Sequence, residues 1–276
     1  MTVCIAAICD GGKAIVVAAD RMFTAGPPIN LEFETAEKKI EELSPSCVAL
    51  LSGNSAFGTE IMQGALARLH GAQRPQVVLA AESVKESYAH VRATKVRETI
   101  IVPNLGPDFS RAEGLGINIP TYLKDQPNVY GQLTMVMSNF NMGSDIIVAG
   151  VDDQGARLAV IGHPGTVAWF DKLGYAAIGS GGIHATMRLS LGAHTRNSPL
   201  VDTLYRVYDG KRASEVAPGV GQETDIAIVY PDRTEQGSPE LLKSLLELFK
   251  ESGGKVPTSL DSIARVVQKE PNAGRK

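Results

Sequence analysis

TVCIAAICDGGKAIVVAAD, residues 2–20, is the stretch that decides the architecture. Val3 to Cys9 is an apolar run, Asp10-Gly11-Gly12 interrupts it, and a second run extends from Ala14 to Ala19. Two short apolar runs around an Asp-Gly turn read as a buried hairpin. Its second strand ends on Asp20-Arg21, and its first is preceded by Thr2. A side chain as small as that of Thr2 favours removal of Met1, which leaves a threonine whose hydroxyl and free α-amine share one residue. Such an amine titrates near ~8, so a useful fraction is unprotonated at neutral pH. A threonine with its own terminal amine is a recognised nucleophile–base arrangement. A chain that simply starts Met-Thr is the commoner case, so the residues downstream decide.

Outward from the hairpin come Glu37-Lys38-Lys39-Ile40 and the apolar run Val48 to Leu51, ending Ser52-Gly53. Gly53-Asn54-Ser55 reads as a strand end leading into a helix N-cap. Ile61, Ala65, Leu66 and Leu69 recur at helical spacing up to Gly71, and a second helix from Pro75-Gln76 carries Val78, Leu79, Ala81, Val84 and Tyr88. Residues 98–140 are punctuated by Pro103, Gly106, Pro107, Gly114, Gly116, Pro120 and Pro127. They predict an irregular insertion, either leaving the core to meet a neighbouring subunit or forming a surface loop. Order returns with the run Gln132-Leu133-Thr134-Met135-Val136-Met137, and strand-like runs follow at 145–151, 157–161, 166–170 and 175–178, with a hairpin turn at Asp152-Asp153-Gln154-Gly155. Ser180-Gly181-Gly182 opens a helix, another follows Ser198-Pro199, and Asp225 to Tyr230 is a strand. Ser238-Pro239-Glu240 is a capping signature for a helix through Leu241 to Phe249. The order gives an α+β chain with helices in pairs: one domain over residues 1–252 and a loosely attached tail over 253–276, with room for a short helix near Leu260–Val267.

Composition narrows the function. The 276 residues are 43% hydrophobic and 21% charged, with net charge −3 and no basic excess to attract nucleic acid. No apolar stretch approaches the ~20 residues that span a bilayer, and the N-terminal run lacks a basic n-region. Cys4, Cys9 and Cys47 have no metal spacing and read as small buried residues in a reducing cytoplasm. His70, His90, His163, His184 and His194 show no metal spacing, and Gly179-Ser180-Gly181 lacks the rest of a phosphate loop. No cofactor or metal is indicated.

The hairpin ending Ala-Ala-Asp, the Lys38-Lys39 pair, the apolar strand closing on Gly53, and Ile178-Gly179-Ser180-Gly181-Gly182 occur in the order and spacing of proteasome β-type subunits. Over residues 2–60 and 145–230 the chain resembles that family, most closely its bacterial HslV-type peptidases, and the start Met-Thr-Val-Cys is similar to the bacterial homologue called Anbu. The resemblance implies a four-layer α-β-β-α sandwich of the N-terminal nucleophile (Ntn) hydrolase type. It also implies a cytoplasmic threonine endopeptidase that cleaves peptide substrates and assembles into homo-oligomeric rings or stacks. The HslV-type likeness admits an ATPase unfoldase partner, which nothing in the sequence identifies; no nucleic-acid or membrane partner is expected.

Carried over residue by residue, the resemblance makes Thr2 the nucleophile, Lys39 the ammonium that tunes its amine, Asp20 the partner of Lys39, and Ser180 the proton-passing loop serine. Strand alternation turns Lys38 outward. The alternatives from the residues alone are a solvated Lys39, an Asp20 bonded only to its own turn, and a Ser180 that merely caps a helix. Leu50, Gly53 and Gly181 are the candidates for backbone oxyanion donors, although Leu50 stands where the family has glycine. The Asp and Ser that the family places before its last core strand fall near Ala217 and Val220, so neither residue type is kept, and Glu223 or Asp225 is the available substitute. That gap supports an inactive structural subunit as the rival reading, with an Ntn amidase acting on small amides as a third.

Overall fold

Both faces of the first hairpin are buried, which accounts for its lack of polar positions. In the computed structural model, which describes residues 2–25, 31–71, 76–105, 127–253, 257 and 259–269, β1 (Cys4–Cys9) and β2 (Ala14–Asp20) pair with Cys9 opposite Ala14. Asp10, Gly11 and Gly12 turn the chain at φ of 49°, 68° and 88°, left-handed conformations that aspartate tolerates and glycine adopts freely. Successive side chains then point to opposite faces. Ile5, Ala7, Val16 and Ala18 join one buried cluster, while Cys4, Ala6, Ile8, Ile15 and Val17 join another.

The remaining strands are β3 (Met22–Ala25), β4 (Leu31–Glu34), β5 (Ile40–Ser44), β6 (Cys47–Gly53), β7 (Ser144–Asp152), β8 (Gly155–Gly162), β9 (Thr166–Trp169), β10 (Tyr175–Ile178), β11 (Thr224–Val229) and β12 (Thr234–Gln236). The helices are α1 (Ser55–Leu69), α2 (Val77–Val96), a π-helical turn over Arg97–Ile101, α3 (Val102–Leu105), α4 (Pro127–Asn139), α5 (Gly182–Leu191), α6 (Leu200–Ser214), α7 (Pro239–Ser252) and α8 (Asp261–Lys269). Two five-stranded sheets, ordered β10-β1-β2-β11-β12 and β5-β6-β7-β8-β9, accompany the small β3-β4 hairpin. Every pairing among the described residues is antiparallel, so the chain is α+β.

Three apolar clusters order these elements. One joins the β1-β2-β11 face to α5, α6 and α7 through Leu189, Leu204, Val207, Leu241 and Leu245. The second draws Ile8, Val17 and Ala227 from one large sheet together with Val48, Leu50, Ile147 and Leu158 from the other. The third joins the opposite face of that other sheet, through Ala49, Ile146 and Val148, to Ile61, Met62, Val84 and Tyr88 of α1 and α2. Fully burying one such Val, Leu or Ile is worth about 1.5–3 kcal/mol, so the strand faces are specified strongly.

Two expectations change. The segment expected to be irregular over 98–140 is helical at both described ends, because its helix breakers concentrate between them; residues 106–126 lie outside the described residues. Pro127 takes the first position of α4, where a missing N–H costs nothing. The tail is less loose than expected: Ile263 of α8 is fully buried in the first cluster. No helix among the described residues is long and apolar enough to cross a membrane.

Candidate active site around Thr2

Antiparallel pairing brings the start of β1 to the end of β2. Cys4 lies opposite Ala19, and Asp20 N donates to Val3 O at 3.2 Å. Register alone therefore sets Thr2 beside Asp20, and the Thr2 hydroxyl donates to Asp20 Oδ1. Lys39 arrives from the other sheet, one residue before β5. Its Nζ donates to Thr2 Oγ1 and lies 2.8 Å from Asp20 Oδ1. Lys38 diverges, its Nζ 3.5 Å from Gln236 Oε1 on the exposed side. Asp20 is fully buried, and the Lys39 side chain is 19% exposed.

The Asp20 carboxylate is surrounded by donors. Oδ1 also accepts from Val3 N at 3.0 Å, and Oδ2 accepts from Met22 N and Gly221 N, each at 3.0 Å. The Met22 bond is the local turn of the alternative reading, but it takes up one oxygen only. Burial pushes the carboxyl pKa upward, yet the Lys39 charge and the Gly221, Lys39 and Thr2 hydrogen bonds outweigh it and hold Asp20 below its usual value.

Ser180 closes the other side of Thr2 from the turn between β10 and α5. Its Oγ accepts from Thr2 N at 3.2 Å and lies 3.3 Å from Thr2 O and 3.0 Å from Pro218 O. One hydroxyl proton serves only one of those carbonyls at a time. Gly181 N donates to Thr2 O at 3.1 Å. Gly179 has φ 87°, and a Cβ there would press into Thr2 O. Gly71 has φ 90° with open space around it, so the two glycines separate backbone strain from close approach. Gly71→Ala is expected to cost about 1–2 kcal/mol, and Gly179→Ala about 3–4 kcal/mol. Urea unfolding of the two variants measures the difference, and equal losses would refute the close approach.

The expected oxyanion donors stand elsewhere. Leu50 is buried between the two large sheets. Because Leu51 N donates to Lys39 O at 3.1 Å, alternation along β6 turns the Leu50 N–H towards β7. Gly53 ends β6 opposite Ser144, packed against Gly143. The Gly181 N–H is taken by Thr2's own carbonyl. Among these three, only Gly181 touches Thr2 through a hydrogen bond.

The 216–222 loop contributes backbone groups rather than the missing Asp and Ser: the Pro218 carbonyl to Ser180 and the Gly221 N–H to Asp20. Neither proposed substitute takes that place. Asp225 makes a two-pronged pair with Arg21 at 2.5 and 2.9 Å, and the Glu223 N–H bonds Glu34. Backbone roles leave no side-chain signature, which is why residue types alone pass over them. Cys4 lies near the pair, but burial pushes its thiol up to about 12, so it stays protonated. Thr2 itself is buried, 1% exposed, whereas Ser180 is exposed. No family model matches the chain, and no curated protein matches it.

Proposed function

We propose that this chain is a proteasome-like threonine peptidase of the Ntn-hydrolase type, built as a four-layer α-β-β-α sandwich. The three apolar clusters, one between the sheets and one under each pair of helices, support the four layers. The observation that carries the function is a single hydroxyl, Thr2 Oγ1, joined to both the Asp20 carboxylate and the Lys39 ammonium. A hydroxyl so placed has a cation beside the oxygen on which negative charge develops.

The chemistry begins once whatever precedes Thr2 has been removed. The freed α-amine takes the Oγ1 proton, and Lys39 stabilises the emerging alkoxide. Oγ1 bonds to the substrate carbonyl carbon, and the tetrahedral oxyanion collapses as the C–N bond breaks. The leaving amine takes the proton held on the α-amine. Water, deprotonated by the same amine, hydrolyses the ester and restores the threonine. Ser180 Oγ, which is within hydrogen-bond reach of Thr2 N, passes protons between that amine and solvent. Thr2 is buried, so cleavage ahead of it must also open the hydroxyl, from the side where Lys39 and Ser180 reach solvent. The family resemblance adds a cytoplasmic homo-oligomer acting on polypeptides, with an ATPase unfoldase as an admissible partner.

The burial of Thr2 favours the rival reading, an inactive structural subunit. Intact-mass measurement, followed by incubation with a peptide epoxyketone and mass spectrometry of the N-terminal peptide, separates them. The peptidase reading expects a chain beginning at Thr2 that carries one adduct on that residue. A blocked Thr2 amine, or a free amine without adduct, supports the structural subunit. Labelling accompanied by turnover of small amides but not peptides supports the amidase.

A further inference from the structure

Lys211 lies in the last turn of α6 with no exposed side-chain surface. Its Nζ is 2.6 Å from Glu215 Oε1 and 2.6 Å from Gln222 O. Those two partners bracket residues 216–221, the loop whose Pro218 carbonyl accepts from Ser180 and whose Gly221 N–H meets Asp20. Within the same loop Val220 packs beneath Gly181, where an added Cβ would lie 3.0 Å from Val220 Cγ2 and 2.8 Å from Ser214 Cβ. Burial lowers the Lys211 pKa, and the Glu215 carboxylate and more distant Asp20 oppose that. An apolar side chain of similar length would fill this space without the cost of burying an ammonium.

We propose that Lys211 is a positioning residue: by clasping both ends of the 215–222 loop it keeps the Gly221 N–H on Asp20 and the Pro218 carbonyl on Ser180. The inference rests on the threonine-nucleophile reading. It also explains how the site does without the Asp and Ser expected near Ala217 and Val220, since a cation beneath the loop orders backbone groups instead.

The groups facing Asp20 are Lys39, Thr2, the Cys4 thiol and, at longer range, Lys211. Those facing Lys211 are Glu215, Arg212 and Asp20. Glu34, on β4, holds the far end of the loop by accepting from Glu223 N at 2.8 Å. Loss of the Lys211 charge and loss of the Gly221 hydrogen bond both raise the Asp20 pKa, so the two effects add.

The acid limb of Thr2 labelling by the epoxyketone is set by the α-amine, whose pKa the Lys39 ammonium depresses; a loosened Asp20 holds Lys39 less firmly against Thr2, so Lys211→Met is expected to move that limb upward by about one pH unit. Peptide turnover is expected to show kcat lowered roughly tenfold with KM little changed. Glu215→Gln keeps the lysine and its bond to Gln222 O but removes a negative charge, which by itself moves the limb downward, so an upward shift in this variant reports the loosened loop alone. If Lys211→Met fails to fold by circular dichroism, Glu215→Gln decides: an upward shift supports the clasp, and an unshifted or lowered limb overturns it. A folded Lys211→Met with the wild-type profile overturns it directly. An unlabelled wild-type chain defeats the peptidase reading itself, whereas a labelled wild type whose profile coincides with the variant's defeats only the role of Lys211.

Discussion

Thr2→Ala is expected to abolish both epoxyketone labelling and peptide turnover, a loss on the order of 10⁴-fold or more. The size follows from the absence of a substitute among the described neighbours. Cys4 is the nearest alternative nucleophile, but its thiol is pushed up to about 12 and directed at Leu51 O, 3.3 Å away. Ser180 Oγ sits among Thr2 N, Thr2 O and Pro218 O, with no cation or carboxylate among its hydrogen-bond partners. The fold should survive the substitution: Asp20 keeps its bonds from Val3, Met22, Lys39 and Gly221, so only the two hydrogen bonds of Thr2 Oγ1, to Asp20 and from Lys39, are lost, worth about 1 kcal/mol each. Thr2→Ser retains the hydroxyl and should retain labelling. Its rate should fall for want of the Cγ2 methyl, which lies under Gly179 and holds the side chain in one rotamer. Adduct formation measured by intact mass decides the matter. Undiminished turnover by Thr2→Ala removes Thr2 from the mechanism.

Thr2, Asp20 and Lys39 were legible in the sequence because their order and spacing carry the family resemblance, each as a chemically distinctive side chain at or beside a strand end. Hairpin register makes the separation of Thr2 from Asp20 a spatial adjacency; strand alternation parts Lys38 from Lys39, and the family resemblance assigns Lys39 to the site. Ser180 was legible as the serine of a Gly-Ser-Gly turn, although the same residues also suit a plain helix entry. Residues 216–222 present a gap in the sequence because they hold neither the carboxylate nor the hydroxyl of the family pattern. What the loop offers is one carbonyl and one N–H, which any sequence possesses. Leu50 shows the converse error: alignment to a glycine position suggested a donor, but hydrogen bonding along β6 directs its N–H into the sheet. Lys211 carries no sequence signal of its own, since the last turn of a helix is where the dipole favours a cation. Only packing reveals that it lies under the loop rather than in solvent. Helices α3 and α4 escaped notice because glycines and prolines between them set the character of the whole segment.

Asp20→Asn carries the second large effect, because all of Asp20's bonding partners are donors. Oδ1 meets Thr2 Oγ1, Val3 N and Lys39 Nζ, and Oδ2 meets Met22 N and Gly221 N. An amide NH₂ turned either way confronts at least one backbone N–H that has no other hydrogen to withdraw. The substitution also leaves the Lys39 ammonium without its carboxylate, and breaking such a pair costs about 3–5 kcal/mol at neutral pH. Labelling of Thr2 should fall with it, since Lys39 is no longer held against the threonine oxygen. The pH dependence checks the cause. Asp20 titrates below its ordinary 3.8 in the folded chain, so its contribution is complete above that value and is lost as pH falls through the lower folded one. Wild type and Asp20→Asn should therefore differ most near neutrality and converge in acid. Urea midpoints collected against pH test this, and two parallel curves would show that the Asp20 charge does not hold Thr2 and Lys39 together.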